Sequence, residues 1–211
     1  MTARGGAAPT VFLDSLLRPD LPARLPGSRV YLRPPDIGDW AAWAELRAAS
    51  RDFLTPWEPA WAADELTRAS YRRRLRRLQR DARDDLAYAF FLFRRDDDAL
   101  IGGLTLGNVR RGVTQSASVG YWIGRPYARR GLMSEGVNAV LPFVFEQLRL
   151  HRLEAACLPT NIASQGVLKR SGFQQEGYAR EYLRINGHWA DHLLFALLAE
   201  DWRARARGRV V

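Results

Sequence analysis

The segment that most restricts the fold is a strand-like run, Ala117–Ile123, which passes through the turn GRPYARRG into the apolar-periodic stretch Leu132–Leu148. A strand led through a turn into a helix leaves the helix's first backbone N–H groups without intrahelical partners. Those donors, with the positive end of the helix dipole, make an anion site suited to a pyrophosphate. Gly131 permits close backbone approach, and Arg125, Arg129 and Arg130 add positive charge. A basic turn of purely structural purpose has the same appearance, so the rest of the chain must decide.

Strand and helix signals follow one another along most of its length. Arg29–Pro34 alternates apolar and polar residues and predicts a strand, and Asp36 supplies an N-cap for a short helix through Trp40, Trp43 and Leu46. Arg51–Trp61, punctuated by Pro56 and Pro59, reads as a loop; its Phe53, Trp57 and Trp61 either plug a core or line a pocket. From about Asp64 to Asp84, Tyr71, Leu75, Leu78 and Ala82 share one helical stripe. Ala87–Phe93 and Leu100–Val109 predict strands, with turns at Asp96–Asp97 and Arg110–Gly112. Arg152–Leu158 predicts another strand and Asn161–Ser171 a helix closed by Gly172. Phe173–Ile185 and His188–Leu198 predict a hairpin turning at Asn186–Gly187. The order is that of an α/β chain (α+β mixed), a mixed sheet with helices on its faces. Residues 1–27, with Pro9, Pro19, Pro22 and Pro26, read as a flexible arm, and 203–211 as a basic tail, leaving 28–202 as one domain.

At 211 residues the chain can bury a substantial core. No apolar run approaches the ~18–20 residues needed to cross a bilayer, so no membrane partner is expected. Cys157 is the single cysteine; it excludes an internal disulfide, reads as a small core residue, and fits a reducing, cytoplasmic setting. The net charge of +9 comes almost wholly from arginine, since Lys169 is the only lysine. Such a surface attracts polyanions, with coenzyme A, RNA and ribosomal surfaces as candidates. Arginines crowd the Arg68–Arg83 helix, either as a solvated face or as a ribosome or RNA contact; nothing there supplies base-stacking chemistry, which favours the solvated face.

Downstream motifs settle the reading of the turn. PTNIAS (Pro159–Ser164) opens one helix and KRSGF (Lys169–Phe173) closes it, followed by QEGY at Gln175–Tyr178. Here the chain resembles the GNAT acetyltransferase superfamily, and within it the RimJ/RimL-type ribosomal-protein N-terminal acetyltransferases. The likeness to the RimJ branch includes RDFLTPWEP (Arg51–Pro59), GYWIG (Gly120–Gly124), RGLMSE (Arg130–Glu135), LHRLEA (Leu150–Ala155) and EGYAREYLRINGHWADH (Glu176–His192). It covers roughly residues 28 to 202.

The resemblance implies a splayed, mostly antiparallel seven-stranded sheet with about four helices, acetyl-CoA as co-substrate, and no metal. Pyrophosphate would rest on the amides of Arg129, Arg130, Gly131, Leu132, Met133 and Ser134. Pantetheine would pair with the backbone near Trp122 and Ile123, and Asn161 matches a cofactor-contacting asparagine. Ser164 matches the RimL-type acid serine, and Glu181 an acidic position on the substrate side, with Glu58 as rival base. Phe53, Trp57 and Tyr121 would border the acceptor amine. Arg129 departs from the family pattern, which commonly has glycine two residues before the retained one; its side chain either restricts the loop or reaches the nucleotide's 3′-phosphate.

An N-terminal α-amine, with a pKa of ~7.7–8, is roughly one-third neutral near pH 7.5, whereas a lysine amine is only ~0.1% neutral. An enzyme of terminal amines therefore manages with a weak base or a water relay, which suits a chain with three histidines, each read as structural. The leading expectation is acetylation of a protein N-terminus beginning with Ala, Ser or Thr, a ribosomal protein first. The alternatives are acetylation of a small-molecule amine such as an antibiotic, and a non-catalytic ribosome-assembly or RNA-binding factor. The chain is expected as a monomer or homodimer.

Overall fold

A computed structural model describes residues 21–208; most of the predicted arm, residues 1–20, and the last three residues lie outside it. The strands are β1 (Leu25–Pro26), β2 (Val30–Arg33), β3 (Tyr88–Arg94), β4 (Leu100–Arg110), β5 (Ser116–Ile123), β6 (Arg152–Cys157), β7 (Gln174–Ile185) and β8 (His188–Leu198). They form one sheet in the order β1-β2-β3-β4-β5-β6-β8-β7. Every neighbouring pair is antiparallel except β5–β6. The sheet has eight strands rather than seven, because Leu25 and Pro26 pair with Leu32 and Tyr31.

The helices are α1 (Trp40–Ala49), α2 (Arg51–Leu54), α3 (Arg68–Arg83), α4 (Leu132–Pro142), α5 (Ile162–Arg170) and α6 (Ala199–Arg207), six where about four are expected. The two additions come from segments read as irregular. The proline-punctuated stretch winds into α2 and a 3-10 turn at Thr55–Trp57, since Pro56 sits in a first turn where its missing N–H is not needed. The basic segment after Trp202 is helical to Arg207. Further along, the helix expected over Leu132–Leu148 is α-helical only to Pro142 and finishes as a π turn, Phe143–Gln147.

β3 shows why the core takes this form. Its sequence YAFFLF is continuously apolar because both faces of the strand are covered. Tyr88, Phe90 and Leu92 point into the larger core with Val137, Val140 and Phe143 of the α4 segment. Phe91 and Phe93 point the other way, into a smaller core with Trp43 of α1 and Tyr71 of α3. Phe143 is fully buried and meets Tyr88 and Phe90 edge-on at 5.2 and 5.6 Å. Truncating it to alanine should cost ~3–5 kcal/mol. On the opposite face the Tyr71 hydroxyl donates to the Asp36 carbonyl at 2.7 Å, fixing α3 to the entrance of α1. The β7–β8 turn has positive φ at both Asn186 (44°) and Gly187 (85°), as an Asn-Gly hairpin requires.

Candidate active site

β5 and β6 pair only over Ser116–Ser118 and Arg152–Glu154. Beyond that they part: β5 continues to Ile123 against β4, and β6 continues to Cys157 against β8. Two strand edges therefore face a wedge in mid-sheet, with backbone polar groups free for an extended ligand. Trp122 and Ile123 lie on this free length of β5, and the Trp122 indole sits over Gly103, where a Cβ would come within 2.6 Å of Nε1.

At the wide end the chain passes through Arg125–Tyr127 to Gly131, the N-cap of α4, at φ 77°. No side chain caps this helix, and its first helical bond runs from the Glu135 amide to the Gly131 carbonyl. The amides of Leu132, Met133 and Ser134 precede it, while their side chains are buried. Arg129 adopts φ 61°. The loop thus keeps the left-handed conformation that glycine would favour, at a cost of ~1–2 kcal/mol for a side-chain-bearing residue.

Two more arginines reach this turn from elsewhere. Arg29 donates through Nε to Glu135 at 3.0 Å and through Nη1 to the Arg130 carbonyl at 3.4 Å. Arg170 of α5 donates to the Ser134 hydroxyl at 3.2 Å. Neither has a local sequence signal, because the fold alone brings them here. A wedge of unpaired strand, an uncapped helix N-terminus and surrounding guanidinium groups fit a pantetheine arm and a pyrophosphate.

Across the same opening, beyond the last β5–β6 pair, Tyr121 of β5 faces the first turn of α5. Asn161 is the N-cap of α5, its Oδ1 accepting from the Ser164 amide at 3.0 Å. The capping duty falls to Asn161, so the Ser164 hydroxyl is available for another contact, and it meets the Tyr121 hydroxyl at 2.8 Å. Burial pushes the Tyr121 phenol above its ordinary range, partly offset by its hydrogen bond to Ser164. It therefore stays protonated at neutral pH. Burial likewise pushes up the Cys157 thiol at the end of β6, with Ser164 opposing the rise. Cys157 packs in the core as expected, and that core borders the site.

The residues expected to border the acceptor are held differently. Phe53 of α2 and Trp57 of the following 3-10 turn are half-buried. Glu58 accepts from Arg47 Nη1 and Nη2, both at 2.7 Å, and from the Trp61 indole at 2.9 Å. With these lone pairs engaged, Glu58 is poorly placed to serve as a base. Its carbonyl accepts from the Asn186 amide at 2.8 Å, so the aromatic segment touches the hairpin tip. Glu181 lies exposed in β7, in a bulge at φ 46°, where its amide donates to Asp191 Oδ1 at 2.8 Å. Among the described residues no hydrogen bond joins its carboxylate to Ser164 or Tyr121. His192 is buried, with Nδ1 2.9 Å from the Ala190 carbonyl and its ring edge-on to Tyr182. No cluster of metal-ligating side chains occurs among the described residues, and no helix there is long and apolar enough to cross a membrane.

The Acetyltransferase (GNAT) domain matches residues 29–174, the span that contains the wedge, the phosphate turn and α5. The chain belongs to the GNAT acetyltransferase family. It is accordingly an acetyl-CoA-dependent N-acetyltransferase. It is 36% identical over 177 residues to the probable N-acetyltransferase YjcK of Bacillus subtilis, covering 84% of this chain and 98% of that one. It is also 36% identical to the ribosomal protein uS5-alanine N-acetyltransferase of Escherichia coli, over 79% of this chain and 87% of that one. Mycobacterium smegmatis RimJ, solved in complex with CoA-disulfide, superposes with a TM-score of 0.82 at 33% identity, covering 91% of this chain and 98% of that one.

Proposed function

We propose that this GNAT enzyme acetylates the N-terminal α-amine of a protein, a ribosomal protein beginning with Ala, Ser or Thr being the first acceptor to test. The observation that carries the reading is the Tyr121–Ser164 hydroxyl pair, which spans the wedge where β5 and β6 have parted. It offers a proton donor, and among the described residues no hydrogen bond links the pair to a histidine or carboxylate that could serve as a strong base. A site so equipped suits an amine that is already partly neutral at physiological pH. The E. coli relative, whose name describes alanine N-acetylation of ribosomal protein uS5, supports the same direction.

Acetyl-CoA supplies the activated acetyl thioester. The amides of Arg129 to Ser134 hold its pyrophosphate, the free edge at Trp122 and Ile123 aligns its pantetheine, and the Asn161 amide group contacts the arm beside them. Ser164 gives a proton to the departing thiolate and Tyr121 replenishes it. Glu181 receives the amine's proton through water. Phe53 and Trp57 with Tyr121 limit the room beside the amine, favouring a small first residue. The exposed arginines of α3, Arg72, Arg76 and Arg77 among them, form a solvated basic face, and the cytoplasm is the compartment in which the enzyme works.

The test is a panel of short peptides that differ only at the first residue, incubated with labelled acetyl-CoA. Peptides beginning with Ala or Ser should exceed those beginning with Trp or Lys by at least ~10-fold in kcat/KM. A small-molecule amine outperforming every peptide would overturn the assignment.

A further inference from the structure

The aromatic segment is held by a charge pair, Arg47 buried and Glu58 partly so, for which the chemistry proposed above has no use. Arg47, on the last turns of α1, is 6% exposed, and its guanidinium forks onto both oxygens of Glu58. Its Cζ also stacks 4.2 Å from the Trp61 ring and 4.9 Å from the Trp122 ring. Its Nε is buried without a hydrogen-bond partner among the described residues. An ion pair whose arginine is buried with an orphaned donor is a poor way to gain stability, because well-packed apolar side chains do as well or better. Such an arrangement points to geometry as its purpose.

What the pair joins is specific. Glu58 belongs to the acceptor segment, and its carbonyl takes the Asn186 amide of the hairpin tip. Trp122 belongs to the free length of β5. On either side of Arg47 the same helix end grips that strand again. Leu46 packs against Gly124 so closely that a Cβ there would lie 2.4 Å from its Cδ1. Ser50, 1% exposed, accepts the Arg125 amide at 2.9 Å. The last turns of α1 therefore contact the cofactor strand, the start of the phosphate turn and the acceptor segment at once.

We propose that Arg47 and Glu58 are a positioning pair that sets the acceptor segment relative to the cofactor strand, fixing where the amine arrives. This rests on the reading that the aromatic segment borders the acceptor. Arginine is required because only a planar fork can bind a carboxylate bidentately while stacking on two indoles.

The decisive variant is Arg47→Met/Glu58→Leu, which removes both charges together. Its melting temperature and its stabilisation by acetyl-CoA should stay near those of the parent. The KM for the acceptor peptide should rise ~10-fold or more, with the KM for acetyl-CoA changed less than about twofold. Arg47→Lys keeps the charge without the fork and should show the same split, so the proposal is testable even if the double variant does not fold. An unchanged acceptor KM in a folded variant would overturn it. Trp57→Ala separates the two layers: if it raises the acceptor KM while the Arg47 variants do not, only the positioning role falls. If none of them moves the acceptor KM, the aromatic segment is not the acceptor wall.

Discussion

The two ends of this active site are made in opposite ways. The phosphate end is built from backbone: an uncapped helix N-terminus, two left-handed residues at Arg129 and Gly131, and a strand edge left free where β5 leaves β6. The proposed acceptor end is held mainly by side chains that meet across the fold, with Glu58 on Arg47 and Asp191 under the Glu181 bulge, beside one backbone bond from Asn186 to the Glu58 carbonyl. Backbone geometry suits a ligand that never changes, such as a pyrophosphate. Side-chain geometry can be retuned for a new acceptor without disturbing the cofactor, which is one physical reason a single fold can serve many amines.

The contrast can be attacked from either end. The largest effect is expected where the two ends join: Tyr121→Phe, which removes the hydroxyl beside Ser164, should lower kcat ~100-fold with little change in either KM. Ser164→Ala should do the same if the two hydroxyls act as one relay. Full turnover in both variants would remove the relay from the mechanism. Next in size is Gly131→Val. A β-branched residue at φ 77° is strongly disfavoured, so the acetyl-CoA KM should rise ~10–30-fold while the acceptor KM barely moves. A comparable rise in both would show that the ends are not separable.

A smaller effect is expected from Asn161→Ala. Loss of the α5 cap should cost ~1 kcal/mol, or ~2–4 °C in melting temperature for a chain of this size. Cofactor affinity should fall as well if the amide also contacts pantetheine. The smallest is Arg129→Gly, where relief of left-handed strain and the added freedom of the unfolded chain nearly cancel, leaving stability within ~0.5 kcal/mol. Acetyl-CoA affinity then reports the arginine's charge alone, and a drop would mean that Arg129 reaches a phosphate.

The same contrast explains what can be read from the sequence. The turn into α4 is legible as structure because its parts are contiguous, running from Tyr121 to Ser134, and because free helix amides follow from local rules. The hairpin is legible for the same reason, since Asn186–Gly187 declares its own turn. The Arg29–Glu135 tie spans 106 positions and the Tyr121–Ser164 contact 43, so no local pattern could reveal them. Glu58 shows the limit most plainly. In sequence it is an acidic residue in an aromatic loop and so a candidate base, and it is the packing of that loop on α1 that brings the Arg47 fork onto both its oxygens. The eighth strand escapes notice because two residues, Leu25 and Pro26, carry too little periodicity to count.

The central claim is that the enzyme depends on an acceptor amine of low pKa rather than on a strong base. The direct measurement uses two peptides of identical sequence, both with an internal lysine and one acetylated at its N-terminus, compared across pH with labelled acetyl-CoA. Only the peptide with a free N-terminus should react near pH 7.5. Its rate should rise with pH and level off around ~8, as the α-amine loses its proton. No falling limb should appear before the amine is fully neutral, because Tyr121, with its phenol held above the ordinary range, remains protonated there. Efficient acetylation of the lysine in the blocked peptide would contradict the claim, and would mean that a strong base operates at the acceptor end.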